Sequence, residues 1–169
     1  NPWNPISIEG EASIDFISKV TVNVTKSVKV DEFFTIRTGL WVEDRFTELF
    51  VDKENHEVQS LESVELSKYG LRKNVHDREI IAELPENYFF EADECCHIIS
   101  SMLTKQWGGE AGSLVNNGYA NIFYVRQRNS KKVFAVGVGW FSGNRRWYVR
   151  VWSLDGNRWV AESMVFSRN

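Results

Sequence analysis

The side chains able to do chemistry are few and poorly spaced for it. His56, His76 and His97 lie far apart, and the two cysteines, Cys95 and Cys96, are adjacent. Cys95-Cys96-His97 offers the thiolate and imidazole groups that zinc takes. Neighbours at i and i+1 on a helix point in different directions, however, so the triplet is a poor tetrahedral site. Adjacent cysteines also make a strained and rare disulfide, and no disulfide framework is expected. Gly108-Gly109-Glu110-Ala111-Gly112 has the glycines of a phosphate cradle but neither its lysine nor a following helix, and reads as a loop. Asn23-Val24-Thr25 is a glycosylation acceptor triplet, meaningful only in a secretory context. No C-x-x-C, H-E-x-x-H, Walker or G-x-S-x-G pattern occurs. No catalytic residue, metal or cofactor is expected.

Recognition is better represented than catalysis. Residues 1–118 hold 11 basic and 21 acidic side chains, a balance of −10, whereas residues 119–169 hold 9 and 2, a balance of +7. Trp140, Trp147, Trp152 and Trp159, four of the seven tryptophans, fall in that basic part. Basic charge interleaved with large aromatics is the make-up of a binding surface for protein or nucleic acid. It is equally the make-up of a sheet with tryptophans in its core and arginines in solvent.

The elements that must position these residues follow from periodicity. With 43% hydrophobic residues and 3 prolines in 169, the chain has the composition of a globular protein of one domain, with room for a small appendage. No apolar run approaches the roughly 18–20 residues of a membrane helix, and Asn1-Pro2-Trp3 opens no signal sequence, so a soluble chain without membrane insertion is expected. The lack of an initiating Met leaves an upstream segment open.

Residues 1–55 read as a β-rich segment. Lys19 to Val24 alternates strictly, and Phe33 to Val42 is rich in β-branched and aromatic residues. The aperiodic polar run Asp52–Glu57 is the best boundary, and residues 56–169 form the second unit. There Leu61, Val64 and Leu66 predict a strand ending near Gly70. Asn74 can cap a short helix through Leu84, ahead of Pro85. Ala92, Cys95, Cys96, Ile99, Met102 and Leu103 predict an amphipathic helix over Glu91–Gln106, with Gly108 as its terminator. Period-two segments then predict antiparallel strands at Asn121–Arg128, Lys132–Trp140, Arg146–Leu154 and Arg158–Phe166. Turns are expected at Asn129-Ser130, Ser142-Gly143-Asn144 and Asp155-Gly156-Asn157. The order is α+β, two helices packed on antiparallel strands after a small N-terminal β segment.

From residue 56 onward this order, strand, helix, helix and four strands, resembles the C-type lectin fold. The chain is more specifically similar to the variable proteins of diversity-generating retroelements, known from archaea, their viruses, phages and candidate-phylum bacteria. The residues that carry the likeness are Asn117-Gly118-Tyr119-Ala120-Asn121-Ile122-Phe123-Tyr124-Val125, Trp140-Phe141, Trp147-Tyr148-Val149, Trp152-Ser153-Leu154-Asp155, Arg158-Trp159-Val160-Ala161 and Val165-Phe166-Ser167-Arg168-Asn169. In that family a reverse transcriptase miscopies adenines of a template, and the altered copy replaces codons near the C-terminus. The resemblance implies a binding protein, on a virion or cell surface, whose diversified face takes a variable macromolecular ligand, expected to be a protein.

The mutated codons in such proteins are mostly AAY, which do not yield Trp, Met, Glu, Gln or Lys. The resemblance thus implies that Trp140, Trp147, Trp152 and Trp159 are scaffold. Gly137, Gly139, Gly143, Asn144, Arg146, Tyr148, Arg150, Val151, Ser153, Gly156, Asn157, Val160 and Ser163 are reachable and form the implied ligand-binding set. Glu162 and Met164 depart from the rule. Strand alternation points the same way independently: Phe134, Val136, Val138 and Trp140 share one face, leaving Ala135, Gly137 and Gly139 on the other. The competing reading is a single-stranded nucleic-acid binder that stacks bases on the aromatic sheet and holds phosphates with its arginines. A structural virion or surface subunit is a third.

Overall fold

In a computed structural model, residues 11–24, 28–53 and 63–169 are described. Trp3, His56, Leu61, Thr25 of the acceptor triplet and the boundary run from Glu54 onward lie outside them. The chain is a mixed α+β protein built on a large β-sheet. Among the described residues there are eight strands: β1 (Ile14–Asn23), β2 (Leu40–Val42), β3 (Ser63–Leu71), β4 (Phe90–Glu91), β5 (Asn121–Arg126), β6 (Val133–Phe141), β7 (Arg146–Ser153) and β8 (Met164–Arg168). Four helices accompany them: α1 (Val30–Phe33), α2 (Asp44–Phe50), α3 (Asp77–Glu83) and α4 (Ala92–Lys105). The sheet order is β1-β3-β8-β5-β6-β7-β2, with β4 paired to β5.

The β-rich reading of residues 1–55 holds in part: two strands, β1 and β2, are present there among the described residues, but α1 and α2 occupy the rest of what it took as β-structure. β1 is a ten-residue strand, but the stretch from Phe33 to Val42 yields only the short β2. Gly39 sits at φ +91°, a left-handed conformation that interrupts an extended run, and Arg37 turns back to pair with Leu40. Asp44–Phe50 is a helix because Phe46 and Phe50, spaced i and i+4, bury on one face. Both early strands enter the same sheet as the later ones, β1 against β3 and β2 parallel to β7.

The expected long helix stands, as α4, with Cys95, Cys96, Ile99, Met102 and Leu103 buried. The short helix starts later than expected. His76 rather than Asn74 precedes its first turn, donating its backbone N–H to Glu79 Oε1 at 3.3 Å. Asn74 instead accepts the backbone N–H of Ala161 at 2.8 Å.

The final strand is also corrected. β5, β6 and β7 form the expected antiparallel meander. Residues 158–163 are irregular, and β8 does not pair with β7. It crosses to the other side of β5, runs parallel to it and pairs antiparallel with β3. What carries the chain across is a set of anchors to α3 and its approach: Trp159 exchanges backbone hydrogen bonds with Val75, and Asp77 holds the turn at Asp155.

Both faces of the sheet are covered, which a single amphipathic face would not require. On one, α4, α2 and the aromatic run Phe34, Phe46 and Phe50 pack on Phe134, Val136, Val138, Trp147, Val149 and Val151. On the other, Ile80 of α3 and its neighbours pack on Ile122, Tyr124, Ala135 and Val165, with Trp159 among them. This second cover is partial, ending before the outer half of β6 and β7.

His97 is buried on α4, and its Nδ1 meets no hydrogen-bond partner among the described residues. Burial lowers its pKa from the usual value, with Asp93 pulling the other way. A base whose folded-state pKa is depressed leaves the unfolded chain binding protons first. Stability is then complete above about pH 6.5 and lost as pH falls toward the lowered folded value. The urea midpoint is expected to be lower at pH 5 than at pH 7. His97→Leu, which cannot titrate, should flatten that difference; an unchanged pH slope in the variant would assign it to other groups.

Candidate binding face

The meander sets side chains alternately on its two faces. In β7, Trp147, Val149 and Val151 face the helices, while Arg146, Tyr148, Arg150 and Trp152 face away. In β6, Gly137, Gly139 and Phe141 lie on that same outward side, opposite Arg150, Tyr148 and Arg146 in register. The outward side carries a groove of about 220 Å³ whose wall includes Gly118, Tyr119 and Ala120 on one flank and the 157–160 segment on another.

Each wall has a reason to be where it is. The loop between α4 and β5 has no regular structure, yet two buried amides organise it. Gln106 donates to the carbonyls of Glu110 and Leu114 and accepts from the Leu114 N–H at 2.9 Å. Asn121 accepts the Val115 N–H at 2.9 Å and donates to the carbonyls of Val115 and Val138. Gly109, at φ +79°, fits under Trp140, where an added Cβ would come within 2.2 Å of the indole. The opposite wall hangs on Asp77, a fully buried carboxylate. It accepts the Tyr124 hydroxyl at 2.8 Å, the Trp159 indole N–H at 2.7 Å and the Asp155 backbone N–H at 2.7 Å. Burial, reinforced by Asp77, raises the Tyr124 pKa, so the phenol stays a donor.

Of the sequence-derived set, Gly137, Gly139, Tyr148, Arg150, Asn157, Val160 and Ser163 line this groove. Asn144 and Arg146 join it through Tyr148. The Asn144 amide donates to the phenol oxygen at 2.6 Å, and the Arg146 guanidinium lies 5.9 Å from the ring centroid. Gly143 and Gly156 are exposed in turns outside it. Gly143 has open space around it, whereas a Cβ on Gly156 would stand 2.9 Å from the Ser153 carbonyl oxygen. Two residues are not brought to the face. Val151 is buried in the helix-side core, and Ser153 points the same way and accepts from Arg45 at 3.3 Å. Their odd register in β7 puts them opposite Arg150 and Trp152.

The glycines divide on packing. A Cβ on Gly137 would meet the Trp152 ring at 2.8 Å and Trp159 at 3.2 Å, so this glycine is a packing requirement. A Cβ on Gly139 would meet nothing nearer than 3.8 Å. The tryptophans divide too. Trp140, Trp147 and Trp159 are buried, while Trp152 is half-buried and forms part of the groove wall.

Sequence reasoning missed Trp41, Phe141 and Trp152 as members of the face. Trp152 and Phe141 were legible in the alternation, being in phase with Arg150 and Gly139. Trp41 was not, because it arrives through the parallel pairing of β2 with β7, beside Tyr148. The Arg150 guanidinium lies beside both rings, 5.4 Å from Trp41 and 5.6 Å from Tyr148, whose own centroids are 5.5 Å apart. Phe141 at 46% and Val160 at 48% exposure are large apolar side chains left in solvent at the rim.

Elsewhere the candidate chemistry is quiet. Cys95 and Cys96 are buried free thiols whose pKa values burial raises, which disfavours the reactive thiolate. No group of three or more His, Cys, Asp or Glu side chains that could hold a metal occurs among the described residues. No helix of the described residues is long and apolar enough to cross a membrane. No protein-family model, no curated protein and no solved structure matches the chain.

Proposed function

We propose that the chain is a binding protein whose outward face on β6 and β7 is a diversified surface. In this reading it is a C-type-lectin-like variable protein of a diversity-generating retroelement, with a protein as its ligand. The observation that carries the reading is the division of the meander. Gly139, Asn144, Arg146, Tyr148 and Arg150, all reachable from AAY codons, lie together on or beside one solvent-facing groove. Trp140, Trp147 and Trp159, which those codons do not yield, are buried beneath or beside it. The order β3, α3, α4, then the β5–β7 meander and β8, with a long side-chain-pinned loop before β5, supports the fold family.

A scaffold under a changing surface must keep its stability elsewhere, and exposed substitutions cost within about ±0.5 kcal/mol each. The chain carrying Arg146→Ser, Tyr148→Asp and Arg150→Asn together is therefore expected to unfold cooperatively in urea, with a loss well below the roughly 3–5 kcal/mol of truncating a core tryptophan. Its partner profile in a binding screen should change. Collapse of the fold would remove the face as a variable surface. In the source genome, a near-copy of the 3′ coding region differing at adenines, beside a reverse transcriptase, is the matching expectation.

One observation favours the nucleic-acid alternative, the cluster of Trp41, Arg150 and Tyr148, since single-stranded bases use aromatic side chains with nearby arginines. It requires affinity that falls steeply with salt for any sequence and is lost when Arg146 and Arg150 become Ala.

A further inference from the structure

The groove contains one feature that its own packing does not explain. Ser163, one of the residues lining the groove, is fully buried, and its hydroxyl oxygen meets no hydrogen-bond partner among the described residues. Buried hydroxyls in folded proteins are almost always paired. On the same face, Gly139 leaves the interior of a central strand without a side chain, where an added Cβ would make only ordinary contacts, 3.8 Å from the Tyr119 carbonyl oxygen and 4.0 Å from Phe141. A glycine so placed marks close approach of another group to the backbone.

The slot over Gly139 is bounded by ring surfaces, Tyr148 and Phe141 on one side, Trp152 and Trp159 on the other. Its charged lining consists of Arg150 and Arg158, with no acidic residue among them. Arg150 lies in cation–π contact with Trp41 and Tyr148, and an arginine so placed can still meet a carboxylate through its N–H groups. Tyr148, Gly139, Ala120 and Ser163 follow one another across neighbouring strands, since Gly139 pairs with Tyr148 and Ala120 bonds to Met164. Arg150 in β7 and Ser163, just before β8, thus stand across β6 and β5 from one another on the groove's lining.

We infer that this slot takes a phenol side chain of the partner protein, a tyrosine flanked by an acidic residue. Its ring lies over Gly139, its hydroxyl pairs with Ser163 and the neighbouring carboxylate meets Arg150. The assignment rests on the reading of this face as protein-binding. It adds that one subsite is built from Gly137, Trp152 and Trp159, which packing holds constant, while Gly139 decides by its size whether the slot is open.

The probe is para-hydroxyphenylacetate, which carries the same ring, hydroxyl and carboxylate, titrated into the full chain while the indole N–H resonances of Trp152 and Trp159 are followed by NMR. Saturable shifts confined to the groove are expected, with a dissociation constant on the order of 1 mM. Tyramine, which puts an ammonium where the carboxylate was, should bind at least about tenfold more weakly. Gly139→Val should abolish the shifts with an unchanged melt, and Ser163→Ala should reduce the affinity to that of phenylacetate. Equal binding of tyramine, shifts spread outside the groove, or full binding to Gly139→Val would overturn the assignment. If the probe never binds while the Arg146, Tyr148 and Arg150 variant still changes its protein partner, the slot fails and the face stands; if neither responds, both fail. An oligonucleotide that shifts the same indoles with steep salt dependence would replace the tyrosine by a base.

Discussion

Replacing Trp147 by alanine is expected to cost roughly 3–5 kcal/mol, the largest loss for any single side chain of the meander. The residue is fully buried in the helix-side core and packs on Trp140, its cross-strand partner, with ring centroids 5.4 Å apart. Its indole N–H donates to the Gln106 carbonyl at 2.8 Å, and its backbone N–H donates to Gly39 at 2.9 Å. Truncation would therefore open a cavity at the point where β2, β7 and the end of α4 meet. In a domain of this size each kcal/mol lowers the melting temperature by about 2–4 °C, so a fall of roughly 6–20 °C should appear in a thermal scan. Trp152→Ala is the internal control. That ring is half-buried at the groove wall, and its loss should cost clearly less. If Trp147→Ala melts with the parent, Trp147 belongs to the surface and the division of the sheet into scaffold and face is wrong.

The second large effect is expected at Asp77. Its two carboxylate oxygens accept from a phenol, an indole and a backbone amide, two of these donors on buried side chains. Asp77→Ala would leave them without an acceptor, and unpaired buried donors cost about 1–3 kcal/mol each, for a total of roughly 3–5 kcal/mol. Asp77→Asn separates stability from site geometry. One oxygen can still take the Tyr124 and Trp159 donors, while the new NH₂ group faces the Asp155 N–H. The core should then survive while the 155–160 turn loosens, seen as faster hydrogen exchange at Asp155 and Asn157 and weaker binding in the groove. Asp77→Ala with an unchanged urea midpoint would show that this carboxylate does not hold the groove wall.

Local features of the sequence were enough for much of this protein. The 3.6-residue spacing of Ala92 to Leu103 specified α4, because an isolated amphipathic helix must turn that stripe inward. Alternation specified β5, β6 and β7 to within two residues, and Asn129 and Asp155 take the positive φ that their turns call for. The phase of Phe134, Val136, Val138 and Trp140 against Gly137 and Gly139 was correct, since period two follows from strand geometry alone.

Pairing over long sequence distances decided the rest. Alternation says which residues share a face but not which face is left open when both are apolar enough to be covered. Here α2 and α4 close one side, and α3 closes only part of the other. Codon reachability, implied by the resemblance, placed Val151 and Ser153 in the binding set, yet their phase in β7 turns them with Trp147 and Val149 to the helices, where Val151 joins the core and Ser153 meets Arg45. Trp41 reaches Arg150 because β2 adds to β7 as a parallel edge strand, a contact without local signal. β8 runs beside β5 because Asp77 and Val75 draw residues 155–159 across the sheet, an outcome set by a buried carboxylate many residues away. Period therefore determined β5, β6, β7 and the main helix, where burial must satisfy each element locally. The groove, its bare glycine and its unpaired serine exist only once distant segments enclose them, because the shape of a site depends on what the neighbouring elements leave uncovered.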